Sequence, residues 1–176
     1  MTQHVGGLRA RLIHDNLFNM LHDGLAEIGW LDANRQHKPI HVRKTQVGRE
    51  EKVEPNIVCI SADDVKGTQA ELGSELTDNE WYYYIDVYAE DSTLGLHLGT
   101  DVRDLLSGKY TSTVSRPGPD ISIYDLTMQS ATPIELFVVE IQNVDLNRSR
   151  FYEKPFQENW WVISFTVLDT YATEDN

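Results

Sequence analysis

The 176-residue chain has a single cysteine, Cys59, which excludes an intrachain disulfide framework. Cys59 sits in the apolar run NIVCIS (56–61), where it reads as a small buried side chain rather than a reactive thiol. No apolar run approaches the roughly 18 residues of a membrane-spanning helix, and the first residues lack the cationic-then-apolar order of a secretory signal. A soluble protein made in a reducing cytoplasm is therefore expected. Basic side chains are scarce, with 15 Lys and Arg against 28 Asp and Glu, for a formal net charge of −13. The deficit is uneven: residues 1–50 carry +2, residues 51–100 carry −9, residues 101–150 carry −2 and residues 151–176 carry −4. Such a balance repels phosphate and argues against a broad nucleic-acid-binding face.

Catalytic signatures are missing too. There is no G-x-S-x-G, and Gly6-Gly7, Gly95 and Gly99 are not followed by lysine at phosphate-loop spacing. The histidines at 4, 14, 22, 37, 41 and 97 are scattered. His14 and His22 lie too far apart on one helix to chelate a metal together and read as solvated surface residues. Pro39 breaks any helix that would align His37 with His41. One arrangement has chemical content. Asp120 and Glu140 flank a strand connection that can bring two carboxylates together, as in a metal-dependent nuclease. Gln142 stands where such a core wants lysine, and the plainer reading is two solvent-facing acids. No catalytic residue, cofactor or metal is expected, and the nuclease stays an alternative.

What the chain does have is clear periodicity. Leu8, Leu12, Leu17, Leu21, Leu25 and Ile28 predict an amphipathic helix over 8–29 that ends at Gly29. After a polar passage (32–39), residues 40–47 alternate like an edge strand, and 56–61 read as a buried strand. Residues 62–80 are acidic and contain glycine, and read as a loop with room for a turn of helix or a short strand. From Trp81 to Glu90 the residues alternate, with Trp81, Tyr83, Ile85, Val87 and Ala89 on the apolar face. Leu94, Leu98, Val102, Leu105 and Leu106 then fall at helical spacing, with Asp91 or Ser92 as cap and Gly108 as stop. Residues 111–120 form a Pro/Gly linker. Three strands follow at 121–127, 134–146 and 159–171, separated by the aromatic and basic connection 147–158. The order predicts one α+β domain, with an antiparallel or mixed sheet and both helices packed on it. Residues 1–7 and 172–176 are expected to be loose ends.

The segment IDVYAEDSTLGLHLGTDVRDLLSGK (85–109) resembles the tail terminator, or tail completion, proteins of long-tailed bacteriophages, particularly those infecting actinobacteria. The shared features are the aromatic strand ending D-x-Y-A-E, the acidic helix start and the D-V-R-D-L-L-x-G-K helix end. ADD (62–64), ELGSEL (71–76), ISIYD (121–125) and PFQENWWVISFTVLDTY (155–171) agree in order, so the likeness spans nearly the whole chain. It implies a virion structural protein that forms a homo-oligomeric ring, commonly a hexamer, at the head-proximal end of the tail. The ring would dock on the tail tube protein, stop its polymerisation and present a face to head–tail connector proteins, with DNA passing through unbound and no membrane involved.

In that setting Tyr82, Tyr84, Tyr88 and Trp160 are candidates for packing or subunit contacts, since large rings serve interfaces well. The plainer alternative is a sheet face covered by the protein's own helices. Arg148, Arg150, Phe151 and Tyr152 are candidates for touching a neighbouring subunit or the tube. Asp63, Asp64, Glu71 and Glu75 would line the lumen and keep passing DNA from adhering. Competing readings are a head–tail connector or stopper of similar fold, the nuclease using Asp120 and Glu140, and an unrelated acidic binding module.

Overall fold

In the computed structural model, which describes residues 5–31, 34–44, 56–69, 76–108, 120–126, 134–148 and 159–172, the N-terminal repeat forms α1 (Val5–Ile28). The helix thus begins inside the expected loose end. Its fully buried stripe is Ile13, Leu17, Leu21 and Leu25, a strict four-residue spacing that lines one helix face. Leu8, expected on that stripe, is 48% exposed. Gly29 ends the helix at φ +53, its N–H bonded to the Leu25 carbonyl at 3.0 Å, a left-handed position that glycine occupies at little cost.

Strands β1 (Trp30–Leu31) and β2 (His37–Lys38) pair as a small antiparallel ribbon, β1 just before the polar passage and β2 within it. The main sheet has six strands. β3 (His41–Arg43) lies at one edge, parallel to β4 (Ile57–Gln69), which pairs antiparallel with β5 (Leu76–Tyr88). β8 (Trp160–Ala172) follows in the sheet, then β7 (Glu135–Arg148) and finally β6 (Asp120–Tyr124) at the other edge. The mixed sheet and two helices are the α+β arrangement expected from the sequence. The reading of 62–80 as a loop with at most a short strand is corrected, because β4 continues to Gln69 and β5 starts at Leu76. The polar and acidic residues there continue the ladder past a bulge at Ala62/Asp64, since backbone pairing does not require an apolar face. Of the 111–120 linker, only Asp120 is within the described residues.

Alternation sorts the sheet into two faces. Val58 and Ile60 of β4, Tyr83, Ile85 and Val87 of β5, Ile163, Phe165 and Val167 of β8, and Ile121, Ile123, Val139 and Ile141 of the β6–β7 pair are all buried in one core. Both helices pack on that face. α2 (Ser92–Leu106) is capped by Asp91, whose carboxylate accepts from the Leu94 N–H at 2.8 Å; Gly108 follows its end at φ +66. A bulge between Gln142 and Asp145, with Asn143 at φ +53, reverses the alternation of β7. Leu146 is thereby turned towards α2.

Two features tie helix to sheet. Arg9 of α1 forms a two-pronged ion pair with Asp169 of β8, one bond being 2.8 Å from Nε to Oδ2, and its guanidinium carbon lies 3.7 Å from the centroid of the Phe137 ring. Asp169 is fully buried. His14, read as a solvated surface residue, instead faces the core, half-buried and stacked on Tyr83 with ring centroids 6.1 Å apart. Burial lowers the pKa of its imidazole, outweighing the nearby Asp15.

Arg9→Met is expected to destabilise the protein by about 3–5 kcal/mol, because a buried carboxylate loses its cation. Arg9→Met with Asp169→Leu should recover most of that loss, as read by urea unfolding. A single variant as stable as wild type would contradict the pairing. Gly95→Ala tests the helix–sheet approach, since a Cβ there would sit 2.7 Å from the Trp161 indole. Alanine gains up to about 1 kcal/mol of helix propensity, yet crowding costs about 1–3 kcal/mol. The variant should therefore melt below wild type.

Candidate functional site

The residues nominated from sequence divide between the two faces of the sheet. Tyr82, Tyr84 and Tyr88 alternate with the core residues of β5, so they project from the face opposite the helices. Trp160 joins them, since its register partner is Tyr88. The helices therefore do not cover these tyrosines, which sets aside the alternative that they do. Instead the group is held by its own contacts. Tyr88 and Trp160 stack with centroids 5.5 Å apart and planes 20° from parallel. The Trp160 indole N–H donates to Asp86 Oδ1 at 2.9 Å. Burial raises the Tyr88 phenol pKa well above its usual value, helped by Asp86 and then Cys59. Cys59 is fully buried opposite Asp86, in keeping with its reading as a packed side chain. Tyr82 donates to Glu80 at 2.8 Å, and both Tyr82 and Tyr84 remain half-buried.

Arg148 is exposed at the end of β7, paired in register with Trp161. The β7 bulge puts it on the helix side of the sheet, so it does not join the tyrosines. Arg150, Phe151 and Tyr152 lie outside the described residues. Of the acidic set, Asp63 is exposed and is the residue bulged out of the β4 ladder; Asp64 sits in register with Tyr82. Glu71 and Glu75 lie outside the described residues.

Asp120 and Glu140 are brought together as direct cross-strand partners. They share a sheet face with Leu136 and Val138, which are 47% and 48% exposed. Among the described residues no group of three His, Cys, Asp or Glu is placed to hold a metal ion. No helix among them is long and apolar enough to cross a membrane.

The structure adds a cleft of about 360 Å³ that the sequence reading missed. Trp30, Leu31 and Ile40 wall it on the β1–β3 side, and Leu94 and Leu98 of α2 close the other side. His37 and Gly29 line it together: the imidazole lies so close that a Cβ on Gly29 would sit 2.1 Å from the ring. Its floor includes Asn56, which is 1% exposed and has φ +69, its Oδ1 accepting from the Glu90 N–H at 3.3 Å. His97 and Asp101 complete the rim from α2. The missed signal was the pair of bulky residues, Trp30 and Leu31, following the helix-ending glycine. No family model matches the chain, and no curated protein is significantly similar to it.

Burial raises the Asp101 pKa above the ordinary 3.8; Asp104 adds to the rise and His97 opposes it. A carboxyl whose folded pKa is raised favours folding only where it is protonated. Its contribution is present at low pH and is lost as pH rises through the folded value. Asp101→Asn should therefore stabilise the protein at pH 7 and change little at pH 3, as measured by urea unfolding. Equal effects at both pH values would contradict this.

Proposed function

We propose that this protein is the tail terminator of a long-tailed bacteriophage, a ring subunit that ends the tail tube at its head-proximal end and offers a surface for head joining. The observation carrying the reading is the 85–109 segment. Its aromatic strand, acidic cap and D-V-R-D-L-L-x-G-K helix end carry the family likeness, and residues 85–108 fold here as a continuous β5–cap–α2 unit. Further support comes from the sheet face that the helices leave uncovered, where Tyr82 and Tyr84 are half-buried. Half-buried aromatic rings are a common material of protein interfaces. The proposed partners are further copies of this chain, the tail tube protein and the head–tail connector proteins, assembled in the host cytoplasm into the virion. Arg148, Arg150, Phe151 and Tyr152 belong to the subunit or tube contacts. Asp63, Asp64, Glu71 and Glu75 give the lumen a charge that DNA does not adhere to.

A connector or stopper position differs in partner: such a protein would bind portal components rather than tubes. The nuclease reading draws on one specific observation, the Asp120–Glu140 pairing across β6 and β7. It requires divalent-metal-dependent DNA cleavage that Asp120→Ala or Glu140→Ala abolishes.

The direct test is polymerisation of purified tail tube protein with and without this protein. Sub-stoichiometric addition should stop elongation and leave a cap at one tube end in electron micrographs. Tyr82→Ala with Tyr84→Ala should reduce capping at least about tenfold, a loss of about 1.4 kcal/mol, in a variant that still unfolds cooperatively. Unaltered tube lengths and bare ends with wild-type protein would contradict the proposal.

A further inference from the structure

We propose that the cleft between the β1–β3 region and α2 is a binding site for a small organic cation, an ammonium group on an apolar body, with Asp101 as its counter-ion. The inference is independent of the ring reading. Its frame is a hollow of about 360 Å³, within the range of small-molecule sites, which are mostly apolar with a few convergent polar groups. Apolar side chains line both sides, Ile28, Trp30, Leu31 and Ile40 on one and Leu94 and Leu98 on the other. The polar lining is His37, Asn56, His97 and Asp101, and no Lys or Arg lines the cleft among the described residues.

The polar groups within reach of solvent decide what enters. Asn56 Nδ2 and Trp30 Nε1 are donors without a partner among the described residues, but both atoms are sealed from water. Asp101 differs: it is only half-buried, and its carboxylate makes no hydrogen bond or ion pair among the described residues. The nearest cation in sequence, Arg103, pairs with Asp104 at 3.1 Å. Partial burial and the Asp104 charge both penalise the ionised Asp101, and His97, one helical turn away, offsets only part of that penalty. A titratable group perturbed in this way inside a cleft is a functional-site candidate, and the charge it lacks is positive. An ammonium group beside Asp101 supplies that charge through charge-assisted hydrogen bonds, while its apolar body displaces water from the walls. Trp30 adds an aromatic wall, a surface that holds rings and cations alike. The net charge of −13 further favours the approach of cations over anions. An anionic ligand would meet Asp101 and Asp104 with no lining Lys or Arg to offset them. A neutral apolar ligand would leave the Asp101 carboxylate desolvated and unpaired.

The probe is 2-phenylethylamine, with 2-phenylethanol as its neutral counterpart, each titrated into the full chain at neutral pH and followed by calorimetry. The amine is expected to bind with a dissociation constant of about 1 mM or tighter. The alcohol should bind at least about tenfold more weakly, because it lacks the charge that Asp101 recognises. Asp101→Asn should bring the amine level with the alcohol, in a protein more stable than wild type at pH 7. Asp104→Asn, which lies outside the lining, should leave amine binding within about threefold of wild type, since a charge beyond the contact is screened. The absence of saturable amine binding, or equal binding of amine and alcohol to wild type, would overturn the assignment. Amine binding that survives Asp101→Asn would overturn it as well. So would equal losses in the Asp101 and Asp104 variants, because general negative charge would then hold the amine. Light scattering on the same samples is expected to show an unchanged mass. Binding that tracks dissociation into smaller particles would give the cleft to a contact between copies and overturn the ligand site.

Discussion

The structure depends on the pairing of β5 with β8. Their register runs unbroken from Leu76↔Ala172 to Tyr88↔Trp160, and each face gives that register its own lock. On the helix side, Tyr83, Ile85 and Val87 lie opposite Phe165, Ile163 and Trp161, forming the floor on which both helices rest. On the other side, the Tyr88–Trp160 stack and the Trp160–Asp86 hydrogen bond hold the same alignment. A slip of one residue would turn every core side chain outward and separate Arg9 from Asp169. The close seat of Gly95 on Trp161 would be lost with it.

With the centre of the sheet locked in this way, variation is left to its edges and to the face away from the helices. The β1–β3 region, which ends in the edge strand β3, and the β6–β7 pair at the other edge lie far apart in the sheet order, and the latter contributes Ile121, Ile123, Val139 and Ile141 to the core. Both nevertheless carry exposed apolar side chains. A polar or randomly charged edge would serve a monomer better, because edge strands with exposed apolar residues invite association. The account of this protein as a ring subunit gives those edges a use, and it gives the half-buried tyrosines one as well.

Much of the fold could be read from the residues because its signals are local. The 3.6-residue repeat of α1, the cap-to-glycine frame of α2 and the alternation at 121–127, 134–146 and 159–171 each report burial within one segment. Where reading failed, the deciding interaction was distant in sequence. Residues 62–69 look like loop because their polarity hides a ladder set by β5, and His14 looks solvated until Tyr83 is placed beneath it. The aromatic face was legible from alternation alone, although its separation from Arg148 depends on a bulge at Asn143. The cleft joins the α1–β3 region to α2, about fifty residues further along the chain, so the Trp30-Leu31 pair alone could not announce its other wall. The Asp120–Glu140 juxtaposition was legible, because strands joined in sequence place their residues opposite one another.

The most direct test of the central claim is negative-stain electron microscopy of the purified protein across a concentration series, with absolute mass measured on the same samples. The account predicts closed rings with a central hole and a mass that is an integer multiple of 20.1 kDa, six copies being the number that the resemblance to tail terminators implies. Particles that remain single copies at every concentration, and remain so when tail tubes are added, would contradict it.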